Sequence, residues 1–329
     1  MRAAVITAPG GPEVFAVQDV PDPVAGPDEV LVAVKASALN RADLMQRRGR
    51  YNGPSGTRND IPGLEMAGVV EAVGERVTGW RAGDRVMALL GGMGYASKVV
   101  VHERMLMPVP PNLSFEEAAG VPEVFLTAYD ALFLQCGLSM GESVLIHAAG
   151  SGVGTAAIQM AAAQSCQVFG TAGSQEKLDQ ATALGMDVGI NYREADFARV
   201  IEEQTGGRGV DVILDVIGAP YWDQNLASLA LKGRMIIVGS MGGGTVERMT
   251  IGALSAKRAS VRGTLLRARP LEEKATLVQS FIRHVMPLFA DGTVRSIVDR
   301  VFPLEQTSEA HAFMESNANF GKIVLKIDD

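Results

Sequence analysis

Val144-Leu-Ile-His-Ala-Ala-Gly-Ser-Gly-Val-Gly154, running on into Thr155-Ala-Ala-Ile-Gln-Met-Ala-Ala-Ala163, is the stretch that decides the fold. It reads as a short apolar strand, a tight turn and an alanine-rich helix. Glycines and alanines in such a turn let backbone approach a ligand closely. The helix N-terminus then offers N–H groups and the positive end of its dipole to phosphate. The turn departs from a strict G-x-G-x-x-G: Ala149 and Ser151 hold the first two glycine positions, Gly154 the third, and Gly152 is added. A glycine-rich turn alone is weak testimony. Set between a first parallel strand and a helix, it predicts a dinucleotide site.

Outward from the turn, apolar runs alternate with helix-length stretches. The runs are Ser143–His147, Gln167–Thr171, Asp187–Asn191, Val210–Asp215 and Arg234–Gly239, with a sixth at Ser260–Thr264. Near-continuous apolar strands between helices predict a parallel sheet covered on both faces. Upstream, short β-prone runs (Glu29–Lys35, Ala67–Val73, Ser97–Val101) lie between Gly- and Pro-rich turns and predict a mostly antiparallel domain. Downstream, the pattern predicts a helix over Leu271–Ala290, a strand near Ile297–Val301, a helix over Leu304–Glu315 and a last strand, Lys322–Lys326. These do not continue the alternation and read as a return to the first domain. The expected fold is therefore a Rossmann-type doubly wound α/β domain (123–267) inserted into a mostly β domain (1–122 and 268–329). A ligand cleft is expected between them.

Composition bounds the rest. The 329 residues are 47% apolar and carry a net charge of −7. That charge argues against broad nucleic-acid or anionic-membrane binding. No apolar run reaches membrane-spanning length, and Met1–Ile6 enters a strand without a leader, so a cytoplasmic location is expected. The two cysteines, Cys136 and Cys166, sit in apolar surroundings and read as packing residues rather than a disulfide framework.

The second strand of the alternation speaks to the coenzyme. NAD enzymes place a carboxylate about 20 residues beyond the turn to receive the ribose 2′-hydroxyl. Here the strand ends Thr171-Ala-Gly-Ser-Gln-Glu-Lys177, with Gly173 and Ser174 where a carboxylate would stand and Lys177 one helical turn on. This predicts NADPH. Lys177 as a plain solvated helix residue is the competing reading, and Glu176 is expected to point away.

The turn, the preceding Glu123-Val-Phe-Leu-Thr-Ala-Tyr129, and the strings Ala36–Gln46, Thr171–Leu178, Gly218–Trp222 and Asn319–Leu325 together resemble the zinc-free quinone oxidoreductases. These are the zeta-crystallin-like members of the medium-chain dehydrogenase/reductase superfamily, and the likeness covers essentially the whole chain. The resemblance implies that the first domain is GroES-like and that the chain forms a homodimer through edge strands, with Ser260–Leu265 the candidate edge. By position, it implies coenzyme contacts at Thr127 and at Gly150, Ser151, Gly152, Val153 and Gly154. It implies a phosphate pocket at Gly173, Ser174, Lys177 and Tyr192, and nicotinamide-side contacts at Ile217, Gly239, Ser240, Met241, Leu265 and Asn317.

Zinc relatives in the superfamily carry Cys and His where this chain reads Leu39-Asn-Arg-Ala-Asp43, and a His where Leu64 precedes Glu65. A catalytic zinc needs three protein ligands and a structural one four, and residues 80–120 contain no cysteine. The expectation is no metal, and reduction of an already electrophilic acceptor, a quinone first, rather than oxidation of an alcohol. Such an acceptor needs hydride geometry and donors for the developing oxyanion. Candidates are Asn40 to contact the nicotinamide or acceptor, Asp43 to orient Asn40 or Arg41, and Tyr51 to donate a hydrogen bond or proton. Asn40 also suits a helix cap. Arg41, Arg47, Arg48 and Arg50 read either as an anion-steering patch or as a solvated face, and Glu65 as the partner of one of them. The alternatives are an enone or enoyl-thioester reductase and, in another class, a low-turnover NADPH-binding sensor or structural protein.

Overall fold

The computed structural model describes residues 1–54 and 57–328. The chain divides into two compact units, Met1–Leu126 with Leu266–Asp329, and Thr127–Leu265. Composition alone placed these junctions at 122/123 and 267/268. The first falls later because the helix Pro122–Tyr129 carries the chain across it, so the change of texture precedes the change of unit.

The second unit is a six-stranded sheet. Its order is Val188–Asn191, Gln167–Ala172, Ser143–Ile146, Val210–Asp215, Leu229–Ile237, Ser260–Gly263, and every neighbouring pair is parallel. Counted along the chain this is 3-2-1-4-5-6, the doubly wound order whose switch point lies beside the first strand. Ser143–Ile146 is buried at every position, as a strand covered on both faces must be. The helix Gly152–Ala163 is buried from Gly154 through Ala161, which its small side chains permit. Leu145, Phe169, Ile190, Phe197, Ile201 and Ile213 form the centre of the core. The strand expected at Arg234 begins earlier, at Leu229. Its ladder is interrupted where Lys232 takes a φ of +65°, and that interruption reads as a turn in sequence.

The first unit holds a seven-stranded sheet. Glu29–Ala38 is its hub, pairing antiparallel with Glu65–Val73, Lys98–His102 and the C-terminal Lys322–Lys326. Alternate residues Val30, Val32, Val34 and Ala36 point into the core. Lys322–Lys326 therefore does return the chain end to this unit, and its parallel neighbour Val298–Pro303 closes the sheet. The helix expected over Leu271–Ala290 is two, Leu271–His284 and Met286–Ala290. Pro287 cannot donate to the carbonyl four residues back and clashes with it, so the helix breaks just before it. Leu304–Glu315 likewise opens with a 3₁₀ turn, Leu304–Gln306, before the helix Thr307–Glu315.

Candidate active site

In the second unit the coenzyme turn is set by short local bonds. Ala148 adopts a φ of +53°, and Ser151 N–H donates to its carbonyl at 2.8 Å. Ser151 is the N-cap of Gly152–Ala163, and its Oγ accepts from Gly154 N–H at 3.0 Å. The serine in a glycine's place thus satisfies one orphan donor of the helix and leaves the Gly152 and Val153 N–H groups without a helical acceptor, free for phosphate. Gly154 must be glycine, because a Cβ there would run into the carbonyl oxygens of Ala148 and Ala149.

Beneath the turn lies a buried polar chain that the sequence did not disclose. His147 Nε2 meets Asn225 Oδ1 at 2.7 Å and Nδ1 meets Thr171 Oγ1 at 3.0 Å. Asn225 Nδ2 donates to Asp215 Oδ2 at 3.2 Å, and Asp215 Oδ1 accepts from Ile217 N–H at 2.7 Å and Gly218 N–H at 3.1 Å. Asn225 spends its N–H on Asp215, so its oxygen faces an Nε2–H and Nδ1 accepts from Thr171. Burial holds His147 neutral, its pKa lowered to about 4. The chain ties the turn to Ile217, one of the expected nicotinamide-side residues. In sequence, His147 was only one of four scattered histidines.

Gly173, Ser174, Lys177 and Tyr192 come together at the end of Gln167–Ala172. Ser174 caps Gln175–Thr182 and accepts from Lys177 N–H at 3.4 Å. A Cβ on Gly173 would lie 2.6 Å from Tyr192 Oη and 3.2 Å from Arg193 Nε. Arg193 brings a cation to this corner; it was not among the expected residues, although it directly follows Tyr192 after the third strand. Gly239, Ser240 and Leu265 line one shallow surface hollow with Ile237, Val238, Gly263 and Thr264. Met241 N–H donates to Val216 O at 3.1 Å, which places it on the Ile217 side. Thr127 is buried on the helix Pro122–Tyr129. Asn317 belongs to the first unit, where it accepts from Arg41 Nη2.

In the first unit Asn40, Glu65 and Lys322 form a closed cluster. Asn40 is the N-cap of Arg41–Arg47. Its Nδ2 donates to Glu65 Oε1 at 2.9 Å and Ala38 O at 3.3 Å, and its Oδ1 accepts from Lys322 Nζ at 2.8 Å. Both amide protons are spent, so Asn40 offers no donor to an acceptor, contrary to the expectation for it. Asp43, expected to orient Asn40 or Arg41, is fully buried and accepts from Asn40 N–H at 2.8 Å, Tyr95 Oη at 2.9 Å and Gly63 N–H at 3.3 Å, so it holds the Asn40 backbone. Burial raises its pKa to about 6 against the pull of those donors. Glu65 pairs with Lys322 at 2.8 Å, not with an arginine.

The arginine run is neither a funnel nor a solvated face throughout. Arg47 is fully buried, donating to Gly10 O at 3.0 Å and pairing with Glu315, which Arg48 also meets. Tyr51 is half-buried, and burial pushes its hydroxyl above the ordinary range. Arg267 places its guanidinium 4.9 Å from the Tyr51 ring centroid and is anchored on Gly91 O at 2.9 Å and Gln46 Oε1 at 2.7 Å. In the sequence it is one arginine of the basic stretch Lys257–Arg269, which reads equally as a solvated face.

Residues 152–282 match the family model described as zinc-binding dehydrogenase, and residues 26–111 the alcohol dehydrogenase GroES-like domain. The chain is 34% identical to a quinone oxidoreductase from Lama guanicoe over 99% of this chain and 97% of that one. It is similar to a solved structure titled NAD-dependent alcohol dehydrogenase, with a TM-score of 0.88 and 34% identity over the whole of both chains. It is also similar to the Escherichia coli quinone oxidoreductase complexed with NADPH, with a TM-score of 0.86 and 30% identity over 99% of this chain and 100% of that one. The residues here do not fit the zinc that the first model's description names. Asp43 and Glu65 are already paired within the chain, and the positions beside them hold Asn40 and Leu64 rather than Cys or His.

Proposed function

The chain belongs to the quinone oxidoreductase family of the medium-chain dehydrogenase/reductase superfamily, and from that premise we propose that it reduces quinones with NADPH and without zinc. The carrying observation is the corner formed by Gly173, Ser174, Lys177, Tyr192 and Arg193. Gly173 and Ser174 stand where a carboxylate would receive a 2′-hydroxyl, and Arg193 Nε lies beside Gly173, so the cation at this corner favours a 2′-phosphate.

When bound, the coenzyme supplies the hydride. The chain's own part is to hold and to polarise. Gly152 and Val153 N–H groups receive the pyrophosphate. The His147–Asn225–Asp215 chain fixes Ile217 and Gly218. Tyr51, its pKa raised, stays protonated and donates a hydrogen bond to the acceptor oxygen, held by Arg267. The protein acts in the cytoplasm as a homodimer joined along Ser260–Leu265. Among the described residues no helix is long and apolar enough to cross a membrane.

The test is NADPH and NADH oxidation with 1,4-naphthoquinone, an enone and an enoyl thioester. The quinone with NADPH should give the highest kcat/KM. Lys177→Ala should raise KM for NADPH about tenfold, the loss of one charge-assisted contact, and leave NADH unchanged. Tyr51→Phe should lower kcat/KM about tenfold. Equal use of both coenzymes by the wild type and by Lys177→Ala would remove the NADPH reading. Faster enoyl reduction would replace the quinone. Tight NADPH binding with no acceptor-dependent oxidation would make the chain a sensor.

A further inference from the structure

The helix Arg41–Arg47 has two ends, and the cluster around Asn40 occupies only the first. The other end lies about 10 Å away at the helical rise per residue. It carries Arg47, the C-cap Arg48 and, past Gly49, Arg50. Gly49 takes a φ of +71°, which turns the chain so that Arg50 N–H bonds back to Met45 O at 2.9 Å. The three arginines line a cavity of about 280 Å³, and Pro9–Gly11 and Glu315 complete the lining. All of these residues belong to the first unit.

Arg47 is fixed before any ligand arrives. Its side chain is fully buried. Nε donates to Gly10 O at 3.0 Å, Nη1 to His311 Nδ1 at 3.3 Å and Nη2 to Glu315 Oε1. That uses three of its five N–H groups. Arg48 Nη2 donates to the same Glu315 oxygen at 2.5 Å. Arg50 is exposed and, among the described residues, has no carboxylate partner. Glu13 accepts from Gly11 N–H at 3.2 Å but lies outside the lining. One carboxylate therefore serves three guanidiniums, an excess of two positive charges in the lining. The C-terminal end of the helix dipole supports these cations while the cavity is empty.

We propose that this cavity binds a small dianion of the phosphate-monoester class. A guanidinium fork meets two phosphate oxygens at once, and the lining holds arginines and no lysine. A dianion neutralises the excess charge, whereas a monoanion meets half of it. Arg47 is already ordered, so binding has to immobilise only Arg48 and Arg50. The cavity lies just below the range that holds drug-sized molecules, which limits the ligand to a phosphoryl group on a short stem. The site shares no residue with the coenzyme turn or with the phosphate corner of the second unit, and it stands whether or not the chain reduces quinones.

The experiment is calorimetric titration of the full chain with glycerol phosphate and, separately, with sulfate. Arg50→Gln should weaken glycerol phosphate about tenfold, and Arg48→Gln with Arg50→Gln about a hundredfold, one charge-assisted contact for each. Lys177→Ala with Arg193→Ala, which strips the phosphate corner of the second unit, should leave the affinity unchanged. A phosphate monoester gains its second charge near pH 6, so binding should be about tenfold tighter at pH 7 than at pH 5. Sulfate is dianionic at both and should bind equally. The neighbouring groups stay out of that window. Glu315 is held below the ordinary carboxylate range, against its burial, by Arg47 and Arg48, and burial, with Arg47 second, lowers His311 to about 3. An unchanged urea midpoint of the first unit shows that the variants are folded. Arg50 is exposed, so Arg50→Gln decides alone should the double variant not fold. Unchanged affinity in Arg50→Gln overturns the proposal, as does loss of binding in the Lys177→Ala, Arg193→Ala protein. No saturation of the wild type by about 10 mM ligand also overturns it. So does a phosphodiester oligonucleotide that binds as well as glycerol phosphate and is released alike by salt, because that is general attraction to a basic surface.

Discussion

Lys322→Met tests the charge arrangement on which the first unit depends. Lys322 and Glu65 have side-chain exposures of 4% and 0% and lie 2.8 Å apart. The ammonium also donates to Leu39 O at 2.6 Å and Asn40 Oδ1 at 2.8 Å, so all three of its protons are used. Methionine fills a similar volume but leaves a buried carboxylate without its cation and two acceptors without a donor. Breaking a buried pair from one side costs about 3–5 kcal/mol, and the stranded acceptors favour the upper end. Glu65→Gln added to Lys322→Met removes the orphan charge; its amide oxygen can still accept the Glu123 N–H, and its NH2 can donate to Asn40 Oδ1, vacated by the lysine, once that amide turns over, so about 2 kcal/mol should be recovered. The chain has two tryptophans, Trp80 and Trp222, one in each unit. Urea unfolding read from Trp80 in a Trp222→Phe background therefore reports the first unit. With a slope of about 2–3 kcal/mol/M, the single variant should lower the midpoint by about 2 M. A shift below about 0.5 M, or a double variant no more stable than the single, would refute the claim that this ion pair is buried, exclusive and uncompensated.

Two further outcomes concern the second unit, read from Trp222 in a Trp80→Phe background. Ser151→Ala should destabilise it by about 1 kcal/mol and Ser151→Gly by a few tenths, because glycine is itself a tolerated cap; equal losses would contradict the capping role of Oγ. His147 has a folded pKa near 4 against an ordinary value of 6.5, so its contribution to stability is complete above the unfolded value and is lost as pH falls towards and through the folded one. About 3 kcal/mol should disappear between neutral pH and pH 4, and His147→Gln should flatten that slope; an unflattened slope would assign the acid sensitivity elsewhere.

The parallel sheet was legible because each of its strands is a near-continuous apolar run, the pattern that burial on both faces demands. Two boundaries were not. Periodicity ran straight through Val285 although Pro287 was in view, and the irregular ladder at Lys232 hid the start of Leu229–Ile237. The site divides the same way. The turn and the phosphate corner are local, built from residues a few positions apart, and their residue types state their purpose. The partners of Asn40 are not local: Glu65 lies 25 residues away and Lys322 lies 282 away. No local signal distinguishes an asparagine free to meet an acceptor from one whose amide is already engaged. Arg47 misled for a related reason, since an arginine in a basic run reads as surface until Glu315 and Gly10 are seen to enclose it.

Three neighbouring carboxyls of the first unit, Asp43, Glu65 and Glu123, differ in what each is offered. Asp43 has three donors and titrates at about 6; Glu65 has a lysine; Glu123 has no partner for Oε2 and titrates at about 8. Near neutral pH one cation balances one carboxylate, Asp43 is ionised against its donors, and Glu123 keeps its proton. This ordering makes a prediction at a distance from the cluster. Lys274, on the helix Leu271–His284, is held charged in part by Glu123, and by reciprocity its charge favours the Glu123 carboxylate. Lys274→Met withdraws that support, raises the Glu123 pKa, and should move to higher pH the point at which the protonated-carboxyl infrared band of Glu123 disappears; Lys274→Glu should move it further the same way. Neither variant disturbs the Asn40–Glu65–Lys322 bonds, so stability should be nearly unchanged. A band, absent from Glu123→Gln, whose disappearance stays at the same pH in both, or moves down, would refute the coupling of Lys274 to Glu123.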